Sequence, residues 1–172
     1  MGNMYLLAFR IINQPKNVDF YSYAIYNDEC TPLHEGTRLI FFESRDDGQR
    51  AFARSKLAKK YSAPLPTKVH MICDLAETER LLRDASIDRQ AVIINTCNLV
   101  DDILSFQGRI MPSRYRDSLY PLLDRLTFYR TYGKFLEKRR IRRSELLKAL
   151  VWMKRALRRN AIVIPRRRGE RS

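Results

Sequence analysis

The sequence predicts an α+β fold: a small mixed sheet, with amino-terminal antiparallel strands plus two strand–helix units, joined to a helical, basic carboxyl-terminal region. Three observations predict it. Aromatic and β-branched residues crowd the first 43 positions in short runs separated by turn residues. Apolar runs then alternate with capped, helix-like segments up to about residue 111. From Pro112 onward the apolar residues recur at helical spacing only.

Met4 to Asn13 and Val18 to Asn27 flank the turn-like link Gln14-Pro15-Lys16-Asn17, which reads as a hairpin. The first strand is apolar on both faces, Tyr5/Leu7/Phe9/Ile11 and Met4/Leu6/Ala8/Ile12, so it is expected at the centre of a sheet covered on both sides. Thr37 to Glu43 is a third strand. Ser44 with Asp47 three residues on resembles a capping box for one helix running to about Tyr61, with Gly48 as its weak point. After Ala63-Pro64-Leu65-Pro66 come a strand at Lys68 to Cys73 and a helix capped by Asp74, carrying Leu75, Leu81, Leu82 and Ala85. Ala91 to Asn95 reads as a short apolar strand, and Asn98 as the cap of a helix carrying Leu99, Ile103, Leu104 and Phe106. Such alternation implies crossovers and some parallel pairing.

Tyr115, Leu119, Leu122, Leu126 and Tyr129 form a helical stripe in which Pro121 either kinks the helix or starts a new one. Ser144 is placed to cap a last helix whose stripe is Leu146, Leu150, Met153 and Leu157. The expected organisation is a sheet domain at 1–111, a helical basic region at 112–164 packed on it, and a disordered basic tail at 165–172.

A chain of 172 residues is the size of one domain and can bury a core without disulfides or metal. Cys30, Cys73 and Cys97 are odd in number and form no C-x-x-C pair, which suggests a reducing compartment. No apolar run approaches the ~18 residues of a membrane span, the amino terminus lacks a basic lead, and Leu6 stands where myristoylation wants Ser or Thr. A cytoplasmic location away from membranes is expected.

Charge is unevenly placed. Residues 1–129 hold 17 Lys+Arg against 16 Asp+Glu, whereas residues 130–172 hold 16 against 3, a local balance of +13. That end uses 12 Arg and 4 Lys, and the planar guanidinium suits bidentate contact with phosphate or carboxylate. A polyanionic partner, DNA or RNA, is expected, with an acidic protein surface as the alternative.

The last helix is the leading site. At 100° per residue its apolar stripe lies within about 60°, while Lys148, Arg155 and Arg159 lie within about 40° of one another on nearly the opposite side. Trp152, the single tryptophan, falls about 20° beyond Arg159. This face offers cations for phosphates and a ring for a base; the plainer reading is a tryptophan covering the core edge beneath a cation. Arg158 on the same helix and the cluster Lys138, Arg139, Arg140, Arg142 and Arg143 extend the field, as does the run Arg166 to Arg168.

Other chemistries have thinner support. Cys97 at a strand end beside a helix amino terminus would be an activated thiol, but neither His34 nor His70 is tied to it by spacing. Glu43, Asp74 and Asp101 near strand ends are the set a metal-dependent nuclease would need. The pairs Asp46-Asp47 and Asp101-Asp102 suit first helical turns rather than a two-carboxylate site. Tyr21, Tyr23 and Tyr26 resemble an RNA-stacking sheet without its RNP1 pattern, so packing is the expected role. Phosphate-loop, dinucleotide and H-E-x-x-H patterns are absent, and no cofactor or metal is implied. The leading expectation is a non-enzymatic nucleic-acid-binding or nucleoprotein accessory role; a protein-interaction module (adaptor or inhibitor) comes next and a nuclease third.

Overall fold

The computed structural model describes residues 3–12, 17–27, 30–61, 64–84, 89–129 and 143–166. In chain order the elements are β1 (Asn3–Arg10), β2 (Phe20–Tyr26), β3 (Cys30–Pro32), β4 (His34–Glu35), β5 (Arg38–Phe42), α1 (Arg45–Ala53), α2 (Lys56–Tyr61), β6 (Val69–Asp74), α3 (Leu75–Asp84), α4 (Gln90–Phe106), α5 (Ser113–Tyr129), α6 (Arg143–Arg159) and β7 (Ala161–Ile164). They form a mixed seven-stranded sheet with helices on both faces, an α+β fold. No described helix is long and apolar enough to cross a membrane.

β1 lies inside the sheet, antiparallel to β2 and parallel to the end strand β6. Its two apolar faces feed two cores, as its pattern requires. Met4 and Leu6 join Tyr23, Ile25, Phe42 and Phe52 under α1 and α2. Leu7 and Phe9 join Leu39, Phe41 and the buried stripes of α3, α4, α5 and α6. The strand tyrosines pack inward: Tyr23 is fully buried and stacks on Phe52 at 4.5 Å, and Tyr26 meets Tyr5 edge-on at 5.2 Å. Gly48 lies where a Cβ would come within 3.1 Å of Phe42, so glycine lets α1 approach the sheet closely.

Several local expectations hold. Ser44 caps α1, its hydroxyl accepting from Asp47 N at 3.4 Å, and Asp46 and Asp47 occupy the first turn. Asp74 caps α3, accepting from Glu77 N at 2.9 Å.

Others are corrected. The expected helix from Ser44 to Tyr61 is broken at Arg54-Ser55, where the backbone tightens and the Ser55 hydroxyl takes over as a cap by accepting from Ala58 N at 3.0 Å. Ala91 to Asn95 is not a strand and Asn98 is not a cap, because Gln90–Phe106 is one helix. Ile93, Thr96, Cys97, Val100, Ile103 and Leu104 are buried along it at helical spacing. Asp101 and Asp102 therefore lie in its later turns rather than its first. Pro121 sits inside α5 without starting a new helix. Ser144 lies within the first turn of α6, which begins at Arg143, instead of capping it.

The region from Pro112 is also not wholly helical. β7 pairs in parallel with β5, from Leu39↔Ala161 to Phe42↔Ile164. The carboxyl-terminal segment thus contributes a strand to the same sheet. Pro165 and Arg166 follow it in exposed positions, and the rest of the expected tail, 167–172, lies outside the described residues.

Candidate functional site

α6 forms because its sequence satisfies both its core side and its ends. Leu146, Ala149, Leu150, Met153 and Leu157 are completely buried. Glu145 occupies the first turn and Arg158 and Arg159 the last, each sign complementing the helix dipole. On one flank the helix is pinned to α3. Lys154 Nζ lies 2.6 Å from Glu79 Oε2 and Arg143 Nη1 donates to the Arg83 carbonyl at 2.9 Å. The Lys154 ammonium holds the Glu79 carboxyl below its usual range, which keeps this partly buried pair ionised.

The end of α6 is organised by Asn160. Its backbone N–H donates to the Ala156 carbonyl at 3.2 Å. Its own carbonyl accepts from Leu39 N and from Gln107 Nε2, both at 2.9 Å. Its side-chain oxygen accepts from Arg109 Nη2 at 2.9 Å. Arg109 reaches this position because α4 ends in a left-handed glycine cap. Gly108 has φ 67°, Gly108 N donates to the Ser105 carbonyl at 2.9 Å, and Arg109 N donates to the Leu104 carbonyl at 2.8 Å.

The outcome is a cavity of about 660 Å³ against the outer face of α6. Arg109, Arg114, Lys148, Arg155 and Arg159 bring five cations to its lining, and among the described residues no carboxylate lines it. Trp152, Tyr115, Leu147, Val151 and Ala156 supply apolar surface. The Arg114 guanidinium lies over the Tyr115 ring, 4.6 Å from its centroid. Lys148 is paired with Glu145 at 2.7 Å, an exposed i,i+3 contact of little strength. Arg155 and Arg159 are exposed and have no ion pair among the described residues. Trp152 is partly buried against the main core, as the plainer reading expects, and also lines the cavity, but no cation lies over its ring among the described residues.

Of the sequence-derived site residues, the structure brings Lys148, Trp152, Arg155 and Arg159 together. Arg158 is exposed but outside the cavity lining, and Arg143 is turned toward α3. Lys138, Arg139, Arg140 and Arg142 lie outside the described residues. Arg109 and Arg114 were missed, because they fall in a stretch with balanced charge. Gly108 after an apolar helical run was the available signal, marking where the chain turns back toward α6.

The competing sites come apart. Cys97 is buried in mid-helix with its thiol pushed up to about 12 by burial, the opposite of an activated nucleophile. Of the three carboxylates, Asp74 pairs with Arg10 at 2.8 Å, Asp101 accepts from the Tyr120 hydroxyl at 2.7 Å, and Glu43 accepts from Arg166 N at 3.2 Å. Each has its own partner, and among the described residues no three His, Cys, Asp or Glu side chains are grouped to hold a metal.

No protein-family model matches this sequence, and no curated protein matches it. Among solved structures, the crystal structure of the C-terminal domain of SatS in complex with bromine is similar, with a TM-score of 0.52 over 94% of each chain at 10% sequence identity. At that identity the likeness is one of fold.

Proposed function

We propose that this chain is a nucleic-acid-binding or nucleoprotein accessory protein that holds its partner against α6. The observation that carries this reading is the convergence of five cations on one concave surface that no carboxylate lines among the described residues. Cations gathered around a low-dielectric wall reinforce one another's field and attract a polyanion. Each phosphate they neutralise releases condensed counterions, which drives binding. Four of the five are arginines, the side chain best shaped to fork onto a phosphate. The reading includes a cytoplasmic location, supported by three free and buried cysteines.

The test is affinity for a generic duplex and a structured RNA across a salt series. Log K is expected to fall linearly with log salt, at about 0.9 per phosphate contact for B-form DNA. Replacing Lys148, Arg155 and Arg159 with glutamine is expected to flatten the slope by two to three units, at roughly one unit per lost contact. Absence of binding at low salt, with poly-glutamate bound instead, would replace nucleic acid by an acidic protein as the partner.

A further inference from the structure

The cavity on α6 is more specific than a basic face. We propose that it takes single-stranded nucleic acid, with an unpaired base lying on the Trp152 indole and the flanking phosphates held by Arg109, Arg114, Arg155 and Arg159. The inference rests on the nucleic-acid reading and narrows it to a substrate class. Three features of the site carry it.

The first is shape. A cavity of about 660 Å³ is within the size range of small-molecule sites, so its volume is enough for a nucleotide unit. A duplex presents a convex rail of phosphates with its bases stacked inward. It would meet the cations of the lining and offer no base to Trp152, Leu147 and Val151.

The second is the division of labour between the two rings. Tyr115 already carries the Arg114 guanidinium on its face. Trp152 has no ring or guanidinium stacked on it among the described residues, and it is partly buried against the core while also lining the cavity. A ring anchored on the core and bordering a basic cavity can serve as a stacking platform.

The third is the placement of charge on separate segments. Arg109 is held by Asn160 in the loop after α4, Arg114 lies at the start of α5, and Arg155 and Arg159 project from successive turns of α6. Phosphates on both sides of a splayed base can be met from different elements, which a strand with its backbone exposed permits.

The single tryptophan makes the test direct, since fluorescence excited at the red edge of absorption, where the nine tyrosines do not absorb, reports on Trp152 alone. The wild-type chain is titrated at one low salt concentration with three probes: a short oligothymidylate, an abasic strand of the same length, and a duplex. The oligothymidylate is expected to quench Trp152, and the abasic strand, with the same phosphates, to bind more weakly by roughly five- to a hundredfold without quenching. The duplex is expected to bind without quenching. Equal affinity for base-bearing and abasic strands, with Trp152 unchanged, overturns the base platform and leaves the phosphate-binding reading standing. Failure of all three probes to bind at low salt overturns both.

Discussion

At the residue scale, Asn160 shows how little the chain needs to assemble a charged groove. One asparagine ends α6, accepts from the backbone of β5 and orients the Arg109 guanidinium, so a terminal cap also fixes a candidate ligand. The three cysteines belong to the opposite class, buried side chains whose chemistry is suppressed. Burial pushes the Cys97 thiol up to about 12 and Cys30 up to about 11, and raises Tyr23 and Tyr120 to about 12. The unfolded chain releases these protons earlier, near 9 for thiols and 10 for phenols. Stability is therefore fully present below about pH 9 and falls as pH climbs toward 12. The melting temperature should hold steady from neutral pH to about pH 9 and then decline, with a shallower decline in Cys97→Ala once its packing loss is subtracted. At neutral pH a thiol reagent should leave native Cys97 unmodified; rapid labelling mapped to it would contradict the buried setting.

At the element scale, β7 decides what the carboxyl-terminal end contributes. Its backbone adds a parallel ladder to β5, including Glu43 N to the Ile164 carbonyl at 3.1 Å, and Ala161 is buried in the main core. Removing residues 165–172 should leave the melting temperature within a few degrees, because Pro165 and Arg166 are exposed. Removing 161–172 should cost about 2–4 kcal/mol in denaturant titration, at roughly 1 kcal/mol per ladder hydrogen bond lost. Equal stability of the two truncations would show that β7 is not part of the folded sheet. β1 and β2 are legible in the sequence because a short run apolar on both faces, bounded by turn residues, fits a central strand and little else. β7 is concealed there, a run of four apolar residues between a basic helix and Pro165, too short to show a period. For the same reason Ala91 to Asn95 passes as a strand: five apolar-leaning residues carry no period, and only the buried stripe continuing to Leu104 reveals the helix.

At the scale of the whole molecule, charge is segregated along the chain but the groove is not built from the basic end alone. Lys148, Trp152, Arg155 and Arg159 were legible from one helical projection, because residues on a single helix keep fixed relative angles. Arg109 and Arg114 were not, since their arrival depends on the turn at Gly108 and on how α5 packs beside α6, both set by the tertiary fold. This difference supplies the most direct test of the groove as the binding surface. Two variants of equal net charge are compared: Arg109→Gln with Arg114→Gln, which removes two groove cations from the charge-balanced part of the chain, and Arg116→Gln with Arg158→Gln, which removes two exposed cations outside the cavity. The measurement is the slope of log K against log salt for a single-stranded oligonucleotide. The groove pair should flatten it by about 1.4 units, at roughly 0.7 per contact on single strands, while the outer pair leaves it close to the wild-type value. Equal flattening by both pairs would mean that the chain binds through its overall charge and that the groove on α6 is not the site.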